Sequence, residues 1–369
     1  MHEESLHGVT LVHVNMTAQR FEGKRFYASR GYRIYCSDDE GLTWDEDGHF
    51  PAPLWRRVVV SHSLLRRMSR SGIYGVLPLA DGSRLCVAAK SLLRADAGSS
   101  VYHAVFSFKR GSRPLNLCLT PDGKIYWGEY FLNLTRSSPV RIFCSDNQGK
   151  HWETAFTFPK GSICHVHRVV HDPFDDAVLV CTGDRDHEVA ILKTTDGFKT
   201  LTPLVQGKQE FRTTSLIPLQ QCILYGSDNP KGVNYVMSLD RGSKDVRIIQ
   251  KLPGPVLFGC RIGNCAVFAT MIEKEDHEVS LWAGDAAGFR QVVRFRSQKM
   301  NQFWREIIGY STVILPEGIG DWPELLCTPV GTREYPECLL KIDLDKAGVK
   351  LYAPEFPGDN AQTTIERTL

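Results

Sequence analysis

No apolar run in this 369-residue chain approaches the ~20 residues that a membrane span requires. The opening stretch, MHEESLHGVTLVHV, has early acids and no apolar core of leader length, so neither a span nor a secretion signal is expected. Charge of one sign is also missing. Lys and Arg number 44 against 42 Asp and Glu, and the formal charge of +2 is too small to point to nucleic acid or an acidic membrane surface. The cysteines number eleven, an odd count with no C-x-x-C pair, which argues against a disulfide frame. Most of them (Cys36, Cys86, Cys118, Cys144, Cys164, Cys181, Cys222, Cys327) lie on strand-like runs, as small buried thiols do in a reducing compartment. A cytoplasmic protein is the expectation. What is present is ordinary globular usage, 42% hydrophobic and 23% charged, enough for a sizeable core.

The chain repeats itself. Residues 37–44 read SDDEGLTW, a full match to S-x-D-x-G-x-T-W, and residues 145–152 read SDNQGKHW, with Asn147 for the Asp and His151 for the Thr. TTDGFKTL (194–201) and SLDRGSK (238–244) are weaker copies, and AGDAAGF (283–289) is weaker still. The pattern describes a turn: a short carboxylate accepts backbone N–H groups, Gly supplies a positive φ, and Trp packs beside the next unit. It is a folding device before it is a functional one.

Between these strings a second signal recurs, an apolar run, a tight turn and another apolar run. The turns are LADGS (79–83), TPDGK (120–124), PFDDA (173–177), PLQQC (218–222), RIGNC (261–265) and LPEGI (315–319). The period is roughly 45 residues with four short strands per unit, which predicts an all-β β-propeller of four-stranded blades. The units fall near residues 8–61, 74–112, 115–158, 164–205, 210–251, 254–296 and 308–352, a single domain over 1–369 with seven blades, or six if the first segment only closes the ring. The stretch 91–100, which lacks the repeat string, reads as a long loop, and 63–72 as a short basic helix or loop whose solvated face needs no ligand.

This register assigns faces. The apolar-run turns and the repeat strings share one face, so the starts of first strands and the ends of second strands share the other, around the channel mouth. Loops converge there on a rigid scaffold. The residues at those positions are polar: Lys90; Glu129, beside Trp127 and Tyr130; His165 and His167, alternating so as to point to one side; Asp184, Arg185 and Asp186; Arg212; Asp228 and Asn229; Glu273, Lys274, Asp276 and His277; and Tyr310. Each has a plain structural reading as a turn former or ion-pair partner; their convergence favours a site. Catalytic roles are expected of Glu129, His165, His167, Asp184, Asp186 and Tyr310, and substrate binding of Arg212, Asp228, Arg185, Asn229 and Lys90. His165 and His167 are candidate ligands for a divalent metal, zinc or manganese; no other cofactor is implied.

In its S-x-D-x-G-x-T-W strings the chain resembles the Asp-box, or BNR-repeat, sialidase-like superfamily of propellers, which includes hydrolases, lyases and non-enzymatic binding modules. The strings KIYWGEYF, SICHVHRVVHDPFDDAVLVCTGDRD, QEFRTTSL and ILYGSDNP resemble uncharacterised bacterial sialidase-like proteins associated with polysaccharide metabolism. Tyr310 in GYSTVILPEG is similar to the string that holds the sialidase nucleophile. There the likeness to a typical sialidase stops: no F-R-I-P string precedes the first repeat, no arginine triad can be placed, and GIGDWPELL stands where Y-E is usual. What the resemblance implies is a carbohydrate-active enzyme, glycoside hydrolase or lyase, acting on an acidic oligosaccharide or polysaccharide at the channel mouth. The alternative is a non-enzymatic glycan-binding or assembly propeller. A hydrolase would use paired carboxylates among Glu129, Asp184, Asp186 and Asp228. A lyase would neutralise a uronate with Arg212 or a metal and remove a proton with His165, His167 or Tyr310.

Overall fold

The structure, a computed structural model, describes residues 8–272, 278–298, 308–320, 323–349 and 351. In chain order, β1 is Val9–His13, followed by the meander β2 (Thr17–Gly23), β3 (Arg25–Arg30), β4 (Arg33–Ser37) and β5 (Asp45–His49). Two helices intervene, α1 (Leu54–Ser61) and α2 (Ser63–Ser69). Four further meanders follow: β6–β9 (Tyr74–Pro78, Arg84–Ala88, Ser91–Ala95, His103–Ser107), β10–β13 (Cys118–Leu119, Ile125–Gly128, Val140–Ser145, Glu153–Phe158), β14–β17 (His165–Asp172, Ala177–Gly183, Ala190–Thr194, Thr202–Gln206) and β18–β21 (Ser215–Pro218, Cys222–Gly226, Asn234–Asp240, Val246–Leu252). Then come β22–β25 (Val256–Ile262, Cys265–Thr270, Glu278–Asp285, Gly288–Arg296), β26 (Thr312–Ile314), β27 (Glu317–Gly320), β28 (Glu324–Val330) and β29 (Leu339–Asp343).

The strands build an all-β propeller of four-stranded antiparallel sheets. Five sheets stand separately, rather than the seven or six expected. The difference has a physical cause. β27 pairs in parallel with both β2 and β22, and so fuses the meanders β2–β5 and β22–β25 into one nine-stranded sheet. The expected turn at 315–319 is thus largely strand. Gly318 permits it: its φ is +88°, and any Cβ there would collide with the Phe21 carbonyl. A second correction concerns 91–100, which is not a long loop, since Ser91–Ala95 forms β8 and is buried throughout. The basic segment 63–72 contains α2.

Ring closure joins the first and last described strands, with β1 pairing antiparallel to β29 as the outer strand of the sheet β26–β28–β29–β1. The hydrophobic core lies between neighbouring sheets rather than within any one. Tyr27 and Ile34 pack with Cys86 and Tyr102, Leu77 and Leu85 with Ile125 and Trp127, and Tyr126 with Val169 and Val180. Cys181 meets Leu216 and Tyr225, Leu224 meets Phe268, and Phe21 and Val267 meet Leu325 and Leu340. Each such side chain, fully buried, contributes about 1.5–3 kcal/mol. None of the eleven cysteines forms a disulfide and nine are buried, most of them as small apolar fillers of these interfaces.

The repeat strings join the third and fourth strands of their sheets, where the register places them. In the first, the Ser37 hydroxyl donates to Asp39 and accepts from Gly41 N–H. Asp39 accepts from the Thr43 backbone and hydroxyl, and the Trp44 indole donates to the Gly41 carbonyl. Ser145, Asn147, His151 and Trp152 repeat the backbone bonds, and Thr194, Asp196 and Thr200 repeat the carboxylate pattern. The copies at Asp240 and Asp285 keep only the carboxylate-to-backbone bonds.

Ion pairs tie separate sheets together. Arg136 donates to Glu188 in bidentate fashion at 2.7 and 2.8 Å, both side chains buried. Arg241 holds the fully buried Asp172 at 2.6 and 2.8 Å. Arg168 of β14 reaches Glu317 of the bridging strand at 2.5 Å.

Two outcomes are expected. Arg136→Met strands the Glu188 carboxylate in the interior and should lower the unfolding free energy by about 3–5 kcal/mol in a urea titration, whereas the double change Arg136→Met with Glu188→Leu should recover most of the loss. The second concerns acid. The hydrogen bonds from Thr43 hold the Asp39 carboxyl down at about 2, and those from Thr200 hold Asp196 at about 2. A carboxyl whose folded value lies below its unfolded value stabilises the fold above the unfolded value and loses that contribution as pH falls through the folded one. Asp39→Asn with Asp196→Asn should therefore flatten the decline of melting temperature between about pH 4 and pH 2, as the natural Asn147 already does in its own turn.

Candidate functional site

Five of the residues placed at the channel mouth by register come together from the β14–β17 and β18–β21 sheets. His165 opens β14 opposite Gly183, and the pairing then slips between Val166 and Arg168, leaving His167 as the extra residue of a bulge. Bulges re-aim side chains, and here the two imidazoles lie 4.9 Å apart, centre to centre. Asp184 follows β15 directly. Its Oδ1 stands 3.7 Å from His165 Nε2, 3.5 Å from His167 Nε2 and 3.3 Å from Arg212 Nη2. The same Arg212 nitrogen lies 3.3 Å from Asp228 Oδ2, and Asp228 N–H donates to the Arg212 carbonyl. The ring of Tyr130 lies 4.2 Å from that of His165.

Asp184 is strained. Its φ of +140° is a conformation that residues with a Cβ rarely adopt, at a cost of roughly 1–3 kcal/mol, and such strain concentrates at working sites. Electrostatics divide the two aspartates. Burial pushes the Asp184 carboxyl up, but the bond from His167 and the charges of His165 and Arg212 outweigh it and hold the group well below the carboxylate range. Burial dominates at Asp228, whose carboxyl is raised despite Arg212. Burial, with His167 alongside, brings His165 down to about 4. Its Nδ1 sits 3.2 Å from the Phe131 carbonyl oxygen, so Nε2 is the nitrogen turned toward Asp184. Among the described residues, the buried His167 Nδ1 and Arg212 Nε have no hydrogen-bond partner.

The same geometry suits a metal ion. Ligand atoms of Cys164, His165 and Asp184 all lie within 4.8 Å of one another. A tetrahedral ion with bonds of about 2.0–2.2 Å sets its ligands roughly 3.3–3.6 Å apart, close to the spacing from Asp184 Oδ1 to the two imidazoles. In the sequence Cys164 reads as one more buried thiol; the signal that marks it is its place directly ahead of His-x-His.

The remaining expected residues stand elsewhere. Glu129 is locked: it accepts from Arg110 at 3.2 and 2.5 Å and from Arg141 N–H at 2.9 Å, and Arg110 also covers Phe131. Asp186 is exposed and accepts from Gln209. Arg185 is exposed, as is Lys90, a positive-φ residue in the turn between β7 and β8. Asn229 shapes its own turn, accepting from Lys231 N–H and bonded to Asn234 through its backbone. Tyr310 is half-buried ahead of β26, and no contact described here joins it to the cluster. Trp127 is buried among Phe106, Phe108, Phe143 and Trp152. Glu273, Lys274, Asp276 and His277 lie outside the described residues.

No family model matches the chain, and no curated protein is similar to it in sequence. Similarity appears at the level of solved structures. The extracellular domain of the one-component system BT4673 from B. thetaiotaomicron aligns over 92% of this chain and 40% of its own, with TM-score 0.56 and 9% identity. An ancestral GH74 enzyme, AFV00434, aligns over 89% of this chain and 45% of its own, with TM-score 0.51 and 13% identity. Puromycin hydrolase aligns over 83% and 51%, with TM-score 0.51 and 12% identity. The chain thus spans about half the length of these proteins, and identities this low carry the fold alone: the chain is a β-propeller.

Proposed function

We propose that this propeller acts on an acidic glycan at the face carrying His165, His167, Asp184 and Arg212. One observation supports the reading above others. A carboxylate held in a strained backbone is flanked within 3.3–3.7 Å by two imidazoles and a guanidinium from two neighbouring sheets. Arg212 is the anchor for a sugar carboxylate, since a planar guanidinium binds one in bidentate fashion. The histidine pair serves as the base that removes the proton beside that carboxylate, or His165 joins Cys164 and Asp184 as ligands for zinc or manganese while His167 is left as the base. Both routes are eliminations: the C–H bond beside the carboxylate and the C–O bond to the departing sugar break, a C=C bond forms between those carbons, and the departing oxygen takes a proton from water. Hydrolysis by paired carboxylates has less support, because Arg110 sequesters Glu129, Asp186 is exposed and held by Gln209, and Asp184 and Asp228 share one guanidinium.

The three turns with a common hydrogen-bond pattern favour placing the chain in the Asp-box branch of propellers, and the GH74 neighbour is compatible with a carbohydrate substrate. A non-enzymatic glycan-binding or assembly role has one observation in its favour, the apolar surface of α1 and α2.

The test is a panel of uronate oligosaccharides, with products followed by ultraviolet absorbance for the conjugated double bond and by mass for added water. Elimination products are expected; binding without turnover would establish the non-enzymatic role. Arg212→Lys should weaken binding of the acidic oligosaccharide by about 10- to 100-fold with little change in melting temperature, because a charged bidentate bond is worth about 1.5–3 kcal/mol. Elemental analysis should find close to one zinc or manganese per chain, lost in a His165→Ala, His167→Ala variant. Metal-free protein with chelator-insensitive turnover would leave the imidazoles as bases.

A further inference from the structure

The helical pair α1–α2 has its amphipathicity inverted. On α1 the side chains at i, i+1 and i+4 (Leu54, Trp55 and Val58) are 74%, 63% and 50% exposed. On α2 the same spacing exposes Leu64, Leu65 and Met68. On α2 the two arginines between them turn inward instead. Arg66 pairs with the buried Glu337 at 2.5 Å, and Arg67 donates to the carbonyls of Ile308 and Gly309 at 3.2 Å. A helix on a water-facing surface normally shows the opposite arrangement, and six apolar side chains gathered on one hairpin are more than the scattered surface hydrophobics of a monomer.

The surroundings carry one sign of charge. From Gly48 to Ala80 there is no Asp or Glu, while Arg56, Arg57, Arg66, Arg67 and Arg70 all fall in that span. Arg57 and Arg70 are exposed, and Arg56 lies over the Trp55 ring at 5.0 Å. Behind the hairpin, a cavity of about 570 Å³ is lined by Arg30, Arg33, Arg57 and Arg66 together with Tyr32 and Phe50. Arg33 is matched by Glu46 and Arg66 by Glu337; Arg30 and Arg57 have no described partner. The near-zero charge of the whole chain conceals this local excess.

We propose that α1–α2 docks onto an anionic phospholipid surface. Leu54, Trp55, Val58, Leu64, Leu65 and Met68 enter the boundary between headgroups and acyl chains, and the arginine-lined cavity receives a phosphate headgroup. Exposed Trp and Leu beside unpaired Arg is the composition of helices that lie in that interface. No helix among the described residues is long and apolar enough to cross, so the contact is peripheral. The site is separate from the His165–Asp184–Arg212 cluster, and the proposal does not rest on the function assigned there.

The test is co-sedimentation of the full chain with vesicles of pure phosphatidylcholine and vesicles containing phosphatidylserine. The chain is expected to sediment with the second and not the first, and to be released as salt screens the arginines. Trp55→Ser with Leu64→Ser, both at exposed positions, should abolish binding at an unchanged melting temperature. Arg56→Ala with Arg57→Ala should weaken it on the order of 30-fold, two juxtamembrane charges' worth. Failure to bind anionic vesicles at low salt would overturn the proposal. So would dimerisation of the wild-type chain that the Trp55, Leu64 variant removes, since a second copy would then be the occupant.

Discussion

Everything in this structure depends on ring closure. A four-stranded sheet has two faces to bury, and in a propeller each is buried only by its neighbours, so one missing contact exposes two faces at once. Here the closing contact is the antiparallel pairing of Val9–His13 with Leu339–Asp343, which brings together segments some 330 residues apart in the chain. β27 adds a second tie by pairing with β2 and β22 together. Non-local pairings of this kind carry a loop-closure entropy, offset by the apolar interfaces between sheets and by the buried Arg136–Glu188 and Arg241–Asp172 pairs that span them.

Packing of consecutive sheets also gathers the polar cluster. Once sheets are fixed side by side, the start of β14, the end of β15 and the segment leading into β18 are held at one rim, and residues from 165 to 228 share a volume of side-chain size. The scaffold can then hold Asp184 at a φ of +140°. Asp184 lies just past the last pair of β14 and β15, His165 with Gly183, and beside Arg212.

The rim carries two different surfaces. One is the polar cluster, with its imidazoles, guanidinium and aspartates. The other is the α1–α2 hairpin, apolar toward solvent and cationic at its margins. A propeller that worked on a glycan while resting on a lipid surface would have use for both.

The strand repeat and most of the turns were legible in the sequence; the turn expected at 315–319 and the loop expected at 91–100 were not, since both contain strands. The legible features follow from local chemistry: a period-two apolar pattern, Asp and Gly at turn positions, and side-chain alternation within a strand. His165, His167, Asp184, Arg212 and Asp228 could be named for the same reason, each standing at a strand end whose register the repeat defines. Tertiary structure decided the rest. Only the fold shows that Glu129 is spent on Arg110, because Arg110 lies outside the repeat string. Only the fold shows that β27 merges two sheets, since parallel pairing between distant segments leaves no local pattern. The bulge at His167, the strain at Asp184 and the outward apolar face of α1–α2 are likewise invisible in a string of residues. Each depends on what packs against the segment. The sequence alone determines local conformation and its period; which charges are neutralised, which backbone is strained and which apolar side chains stay exposed is set by neighbours brought from elsewhere in the chain.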